Sequence, residues 1–226
     1  MLFRSAMAAP TPVSSLVHSS TLVTAGVYLF FRFFYIFSTI YLRKIFCLIS
    51  LMTSFLAGLI ACVEVDLKKL VAISTLSQLG LIMFIISMGD LFICYFHMVT
   101  HALFKALLFL TCGLIILMRR GRQDIRFIGG LSFSLKIVFI IILVSNLRLV
   151  GIPFFSGFFS KDMILEASVL RSAYIFLIFL LFFSCVLSLI YSLKIIKVRI
   201  LIENLGLISL KFFSIINSII MGILLG

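Results

Sequence analysis

The chain has 226 residues, 64% of them hydrophobic, with a mean hydropathy of +1.36. Soluble domains average roughly 45–50% apolar residues, so a water-soluble fold is excluded and the solvent is lipid. The formal charge of +12, from 19 Lys and Arg against 7 Asp and Glu, accompanies no RNA-reading motif and no basic run interleaved with aromatics. It reads as positive loops held on one side of a membrane, and nucleic acid is not expected as a partner.

The apolar runs are long enough to cross a bilayer as helices and lack the strict alternation of a membrane barrel. The expected fold is all-α: a single polytopic transmembrane bundle over residues 1–226, with seven or eight spans. The opening "MLFRSAMAAPTPV" does not read as a signal peptide, since it turns at once to proline. The first span covers about 13–34, entered through Pro10 and Pro12. The second covers 45–63, and the third 70–88 after the charged turn "EVDLKK". The fourth covers 91–118 and is followed by the basic loop "RRGRQDIRFIGG". The next apolar region is interrupted by "GIPFFSGFFSKD", where Gly151, Pro153 and Gly157 fall within seven residues of each other. Proline removes a backbone donor and clashes with the preceding turn. Two half-helices, about 133–150 and 155–170, with an unwound middle are therefore expected. Spans at 173–196 and 205–225 complete the chain, and no internal repeat is visible.

Alternation of the spans puts Arg4, Lys68, Lys69, Arg119, Arg120, Arg122, Arg126, Lys194, Lys197 and Arg199 on one side. The other side receives Arg32, Arg43, Lys44 and Arg171. The excess marks the first side, with the N-terminus, as inside. Glu64, Asp66, Lys68 and Lys69 read as a solvated turn. Cys47, Cys62, Cys94, Cys112 and Cys185 lie singly in apolar runs and read as small buried residues, not as a disulfide frame or metal site. No phosphate loop, HExxH or nucleophile elbow occurs, so no metal or cofactor is expected on this chain.

The informative stretch is "FHMVTHALFKALLF". His97, His101 and Lys105 are spaced four residues apart and share one helix face. An ionisable side chain at mid-bilayer costs at least ~2.5–3.5 kcal/mol, and such residues mark ion or proton paths. Lys105 is either a lysine that gains and loses a proton, or one that snorkels to the interface. His97 and His101 can pass protons through either ring nitrogen, or can bond a neighbouring helix. His18, in "SSLVHSSTLVT", joins them as a relay candidate or belongs to a polar interhelix seam. Lys161, with Asp162 beside it, follows the broken stretch. It lines the break, where unwound backbone faces protein or water, or it is an interfacial loop lysine.

Five segments, "AMAAPTPVSSLVHSSTLVTAGVYLFFR", "DLKKLVAISTLSQLGLIMF", "HMVTHALFKALLFLTCGLII", "GRQDIRFIGGL" and "GIPFFSGFFSKDMILE", occur in this order between Ala6 and Ser192. Together they resemble the chain 5 family of mitochondrial NADH:ubiquinone oxidoreductase (respiratory complex I). Its members are antiporter-like membrane subunits related to cation/proton antiporters. The resemblance implies an inner-membrane subunit among other membrane-arm subunits, with the N-terminus on the matrix side, taking part in proton translocation as part of a translocase. NADH, flavin, iron–sulfur clusters and ubiquinone belong to the rest of that complex. By motif, His18 resembles the family's central-axis histidine, and Lys105, flanked by His97 and His101, its central relay lysine. Lys161, with Asp162, resembles the lysine of the broken helix. The family's long N-terminal part, with its input glutamate and partner lysine, and its lateral C-terminal helix are not matched, so the sequence resembles a fragment. Leu117 stands near an expected histidine. Lys136 stands where a proline starting the broken helix is expected. A cation/proton antiporter subunit and a purely structural membrane fragment are the competing readings.

Overall fold

The structure is a computed structural model and describes residues 13, 21–37, 40–118, 121, 123–125, 136–171 and 175–200. Seven helices run through them: α1 (Leu22–Arg32), α2 (Ile40–Val63), α3 (Leu67–Met88), α4 (Leu91–Met118), α5 (Lys136–Val150), α6 (Ser156–Arg171) and α7 (Ile175–Ile200). A 3-10 turn, Phe34–Phe37, follows α1. No strand is present among the described residues. The all-α membrane bundle expected from hydropathy is therefore the fold. Four helices are long and apolar enough to cross a membrane: α2, α3, α4 and α7. The expected pair at 133–150 and 155–170 is α5 and α6, and the expected span 205–225 lies outside the described residues. The second and third helices begin at residues 40 and 67, earlier than the apolar runs suggested. Their first turns carry Arg43, Lys44, Lys68 and Lys69, which lower hydropathy without opposing helix formation. α5 begins at Lys136 itself, so the helix starts there without the proline that the resemblance led one to expect.

α3 is the centre of the bundle. In its most apolar stretch 78% of residues are buried, against 39% for α2 and α7. It packs against α1, α2, α4 and α6, while α7 packs against α2, α5 and α6. The outer faces of α2, α4 and α7 expose Leu48, Ile60, Leu103, Leu114, Phe176 and Phe179. An apolar exterior on this scale needs lipid as its solvent. Inside, serine hydroxyls bond back to the carbonyl three residues earlier: Ser54 to Leu51, Ser74 to Val71, Ser188 to Cys185. These bonds satisfy polar groups locally where water is excluded.

The loops at each end are tied together. At one end the Leu67 amide donates to the Gln123 carbonyl (3.0 Å) and the Ile125 amide to Val65 (3.1 Å), and Lys194 caps α2 through the Cys62 and Glu64 carbonyls, both at 2.7 Å. At the other end the Arg43 guanidinium donates to the Ser87 and Met88 carbonyls at 3.2 and 2.9 Å, capping α3. Cations at helix C-termini complement orphan carbonyls and the negative end of the helix dipole. The grouping agrees with the charge count: Lys68 and Lys194 share one end, and Arg43 lies at the other. The solvated turn needs correcting in one respect. Asp66 and Lys69 form an ion pair, but Lys68 is buried, because it enters the first turn of the central helix. Among the cysteines, Cys47, Cys94 and Cys112 are buried and Cys62 and Cys185 half-buried, and all five are free thiols.

Candidate functional site: a polar axis on α4 and the α5–α6 break

Lys105 lies 14 residues from the start of α4 and 13 from its end. At 1.5 Å per residue that is about 20 Å from either end, too far for a lysine to snorkel. Its side chain is fully buried (0% exposed), and the ammonium donates to Ser74 Oγ on α3 at 2.5 Å. Ser74 spends its own proton on the Val71 carbonyl, which leaves its lone pairs for the lysine. His101 and His97, one and two turns back, are buried on the same face, their rings stacked with centroids 6.3 Å apart. His97 Nδ1 meets Ser160 Oγ on α6 at 3.0 Å. Both nitrogens of His101 and Nε2 of His97 are buried without a hydrogen-bond partner among the described residues.

The break positions Lys161. α5 ends at Val150, and Gly151 takes φ +85° while the amides of Gly151 and Ile152 both bond the Leu147 carbonyl. A left-handed residue just past the last helical turn is a standard helix stop, and glycine holds it at little cost. Pro153 follows in the turn, and Phe154 adopts φ +74°. Gly157 brings α6 back against α5, where a Cβ would collide with the Arg148 carbonyl oxygen. Lys161, one turn into α6, then folds back across the break. Its ammonium donates to the Leu149 carbonyl, to the Val150 carbonyl at 3.3 Å, and to Ser188 Oγ on α7 at 3.2 Å. The lysine is buried, so it is not the interfacial loop residue the sequence also allowed.

His101 lies within electrostatic reach of Lys105, His97 and Lys161, and Lys105 within reach of Lys161. The structure thus joins Lys105, His101, His97 and Lys161 in one site. Asp162 is not part of it: it is partly exposed, and the neighbouring charge it faces is that of Glu166, one turn on. Adjacent helical residues point about 100° apart, which separates it from Lys161. His18 lies outside the described residues. Leu117 is exposed near the end of α4.

Several polar groups at the site were not singled out from the sequence. Asn146 on α5 is fully buried, with neither amide atom hydrogen-bonded among the described residues. Arg148 stacks over the Phe104 ring at 4.4 Å, beside Lys105. Ser74 and Ser188 accept from the two lysines. The signal for all four was polar residues inside apolar runs, "STLSQ", "SNLRL" and "SLIYS". Among the described residues no cluster of His, Cys, Asp and Glu could hold a metal ion.

The family model described as NADH:quinone oxidoreductase/Mrp antiporter membrane region fits residues 2–188. The chain belongs to this family. Its relatives include proteins named NADH-ubiquinone oxidoreductase chain 5. Those of Aedes aegypti, Anopheles gambiae and Locusta migratoria are 53%, 52% and 51% identical over 84% of this chain and 33% of theirs. The chain spans about a third of the length of these curated relatives. Among solved structures, a chain of an archaeal membrane-bound sulfane sulfur reductase is similar with TM-score 0.79 and 25% identity, over 96% of this chain and 47% of that one. A chain of the Dietzia Mrp complex is similar with TM-score 0.76 and 27% identity, over 84% of this chain and 22% of that one. With this membership the chain is a multi-pass membrane protein of the antiporter-like family.

Proposed function

We propose that the chain is the proton-relaying portion of an antiporter-like subunit of NADH:ubiquinone oxidoreductase. On this reading it sits in the inner mitochondrial membrane, N-terminus toward the matrix, among other membrane-arm subunits. The redox cofactors of the complex lie on other chains. The observation that carries the reading is the pair of buried lysines, Lys105 and Lys161. Each is held by oxygen acceptors with no carboxylate as ion-pair partner among the described residues, and two histidines lie in line with them.

The chemistry follows from that arrangement. An amine that is buried and unpaired by a carboxylate is not locked in its charged form, so it can take and release a proton. Charge on one lysine opposes charge on the other through a medium of low dielectric. A proton arriving at one end of the axis therefore favours release at the other, and the group titrates as a coupled set. His97 and His101 add ring nitrogens on the α4 face that carries Lys105, and His97 meets Ser160, next to Lys161 in sequence. Lys161, held by the last carbonyls of α5, links its protonation to the geometry of the break.

The test is Lys105→Ala in the assembled complex. The ratio of protons pumped to electrons transferred should fall in membrane vesicles, while NADH oxidation by the peripheral arm is retained. An unchanged ratio with normal assembly overturns the reading. The likeness to the Mrp complex supports a second reading, a cation/proton antiporter subunit. Sodium-gradient-driven proton flux in vesicles, independent of NADH, would favour it.

A further inference from the structure

Tyr191 on α7 is one of the largest side chains in the protein with no exposed surface. A wholly buried phenol needs a partner for its hydroxyl. It finds two on α3: Ser77 Oγ and Gln78 Nε2, each at 3.4 Å. Gln78 donates. Ser77 gives its own proton to the Ser74 carbonyl at 3.0 Å, so the phenol donates to Ser77. This cluster lies outside the histidine axis, yet it sits one helical turn from both lysine anchors. Ser77 follows Ser74 by three residues on α3, and Ser74 accepts from Lys105. Tyr191 follows Ser188 by three residues on α7, and Ser188 accepts from Lys161. Residues three apart share a helix face.

The backbones of α3 and α7 are not closely packed; α2 packs against both, and the tyrosine side chain reaches across between them. The contact between Tyr191 and Ser77 therefore fixes the register of the two helices at the level where each offers a hydroxyl to a lysine. A slip of either helix would carry Ser74 away from Lys105 or Ser188 away from Lys161.

We propose that Tyr191 is a positioning residue of the relay. Through Ser77 and Gln78 it holds α7 in register with α3, so that Lys105 and Lys161 keep their serine acceptors together. This inference rests on the proton-relay reading. It differs from that reading in placing control of the two lysines on a hydroxyl seam rather than on the histidine face.

The test compares Tyr191→Phe, Ser77→Ala and the double variant in the assembled complex, with Lys105→Ala in parallel. Tyr191→Phe keeps the ring and its packing and removes only the hydroxyl. Expected are normal assembly on native gels, pumping lowered about threefold in each single variant, and no further loss in the double variant, since both act through one contact. The alkaline limb of the pumping pH profile should move to lower pH, because a lysine that loses its hydroxyl acceptor holds a proton less firmly; loss of packing alone would lower amplitude without moving the limb. Normal pumping and an unmoved profile in Tyr191→Phe, with pumping lost in Lys105→Ala, overturn the inference and leave the relay standing. So does strict additivity in the double variant. Normal pumping in Lys105→Ala overturns the relay itself, and the inference with it. Should Ser77→Ala fail to assemble, Gln78→Leu replaces it as the second partner, with the same non-additivity expected.

Discussion

The Lys161 ammonium caps the carbonyl of Leu149, so the lysine of one half-helix closes the end of the other. The cation stands where the dipole of α5 is negative and where carbonyls have no helical partner. On the proposed relay two jobs fall on one side chain: holding the break together, and carrying a proton beside it. Losing the proton weakens the cap, so the break and the charge state of Lys161 are coupled.

Separating the two jobs gives the first prediction. Lys161→Gln keeps an N–H donor but cannot carry a proton; Lys161→Leu keeps neither. The Gln variant should assemble at close to the normal level and pump poorly. The Leu variant should also lose stability, by about 1.5–3 kcal/mol, the typical worth of hydrogen bonds to a charged group. Native-gel assembly and vesicle pumping, measured on both, decide it. Equal assembly of the two variants would remove the capping role.

The glycines of the break make a second prediction. Gly157→Ala drives a methyl into the Arg148 carbonyl oxygen, with backbone on both sides and no flexible side chain to yield. Overpacking of this kind costs about 1–3 kcal/mol. Gly151→Ala meets the flexible Lys161 Cδ at 3.3 Å and the Gly157 carbonyl oxygen and Phe158 Cα in ordinary contact at 3.7 Å, but forces alanine to φ +85°, at about 1–2 kcal/mol. Both variants should lower the thermal midpoint of the solubilised complex. A Gly157→Ala variant as stable as the parent would show that α5 and α6 do not approach so closely.

Legibility in the sequence followed the strength of the physical signal. The helix at about 91–118 was readable because a long apolar run ends there in a basic loop. The break was readable because Gly151, Pro153 and Gly157 each act through the local backbone. The shared face of Lys105, His97 and His101 was readable because they recur every four residues in an apolar run, and all three are buried. What could not be read were the partners. Ser74, Ser160 and Ser188 are ordinary helical serines until tertiary packing sets them against a lysine or histidine. Asp162 shows the converse: it stands beside Lys161 in sequence, but it is partly exposed and the charge nearest it is that of Glu166.

Topology gives the third prediction. The loop at Gln123 pairs with the segment at Val65, and Arg43 reaches Ser87 at the opposite end. Cysteine introduced at Gln123 should react with an impermeant reagent from the matrix side only. Cysteine introduced at Tyr41, which is exposed at the other end, should react from the opposite side only. Labelling of both from one side would break the up-and-down order of α2, α3 and α4.

Lys105 carries the fourth prediction, and the choice of substitution decides it. Lys105→Arg retains the positive charge and the length, so a lysine present only for charge or packing should tolerate it. A guanidinium, however, stays protonated at any accessible pH and presents a planar fork. Among the described residues the acceptor of Lys105 is Ser74 Oγ, which suits a point-charge ammonium. The Arg variant should therefore assemble and retain NADH oxidation by the peripheral arm but lose most of its pumping. Lys105→His should keep part of it, since imidazole exchanges a proton near neutral pH. Ser74→Ala should sit between His and the parent, because it leaves the amine in place and removes only its acceptor. The measurement is the proton-to-electron ratio in vesicles for all three variants, with assembly checked on native gels. The expected order is parent, Ser74→Ala, Lys105→His, Lys105→Arg. If Lys105→Arg pumps like the parent, proton exchange at this amine is not a step of the relay, and the α4 face serves packing alone.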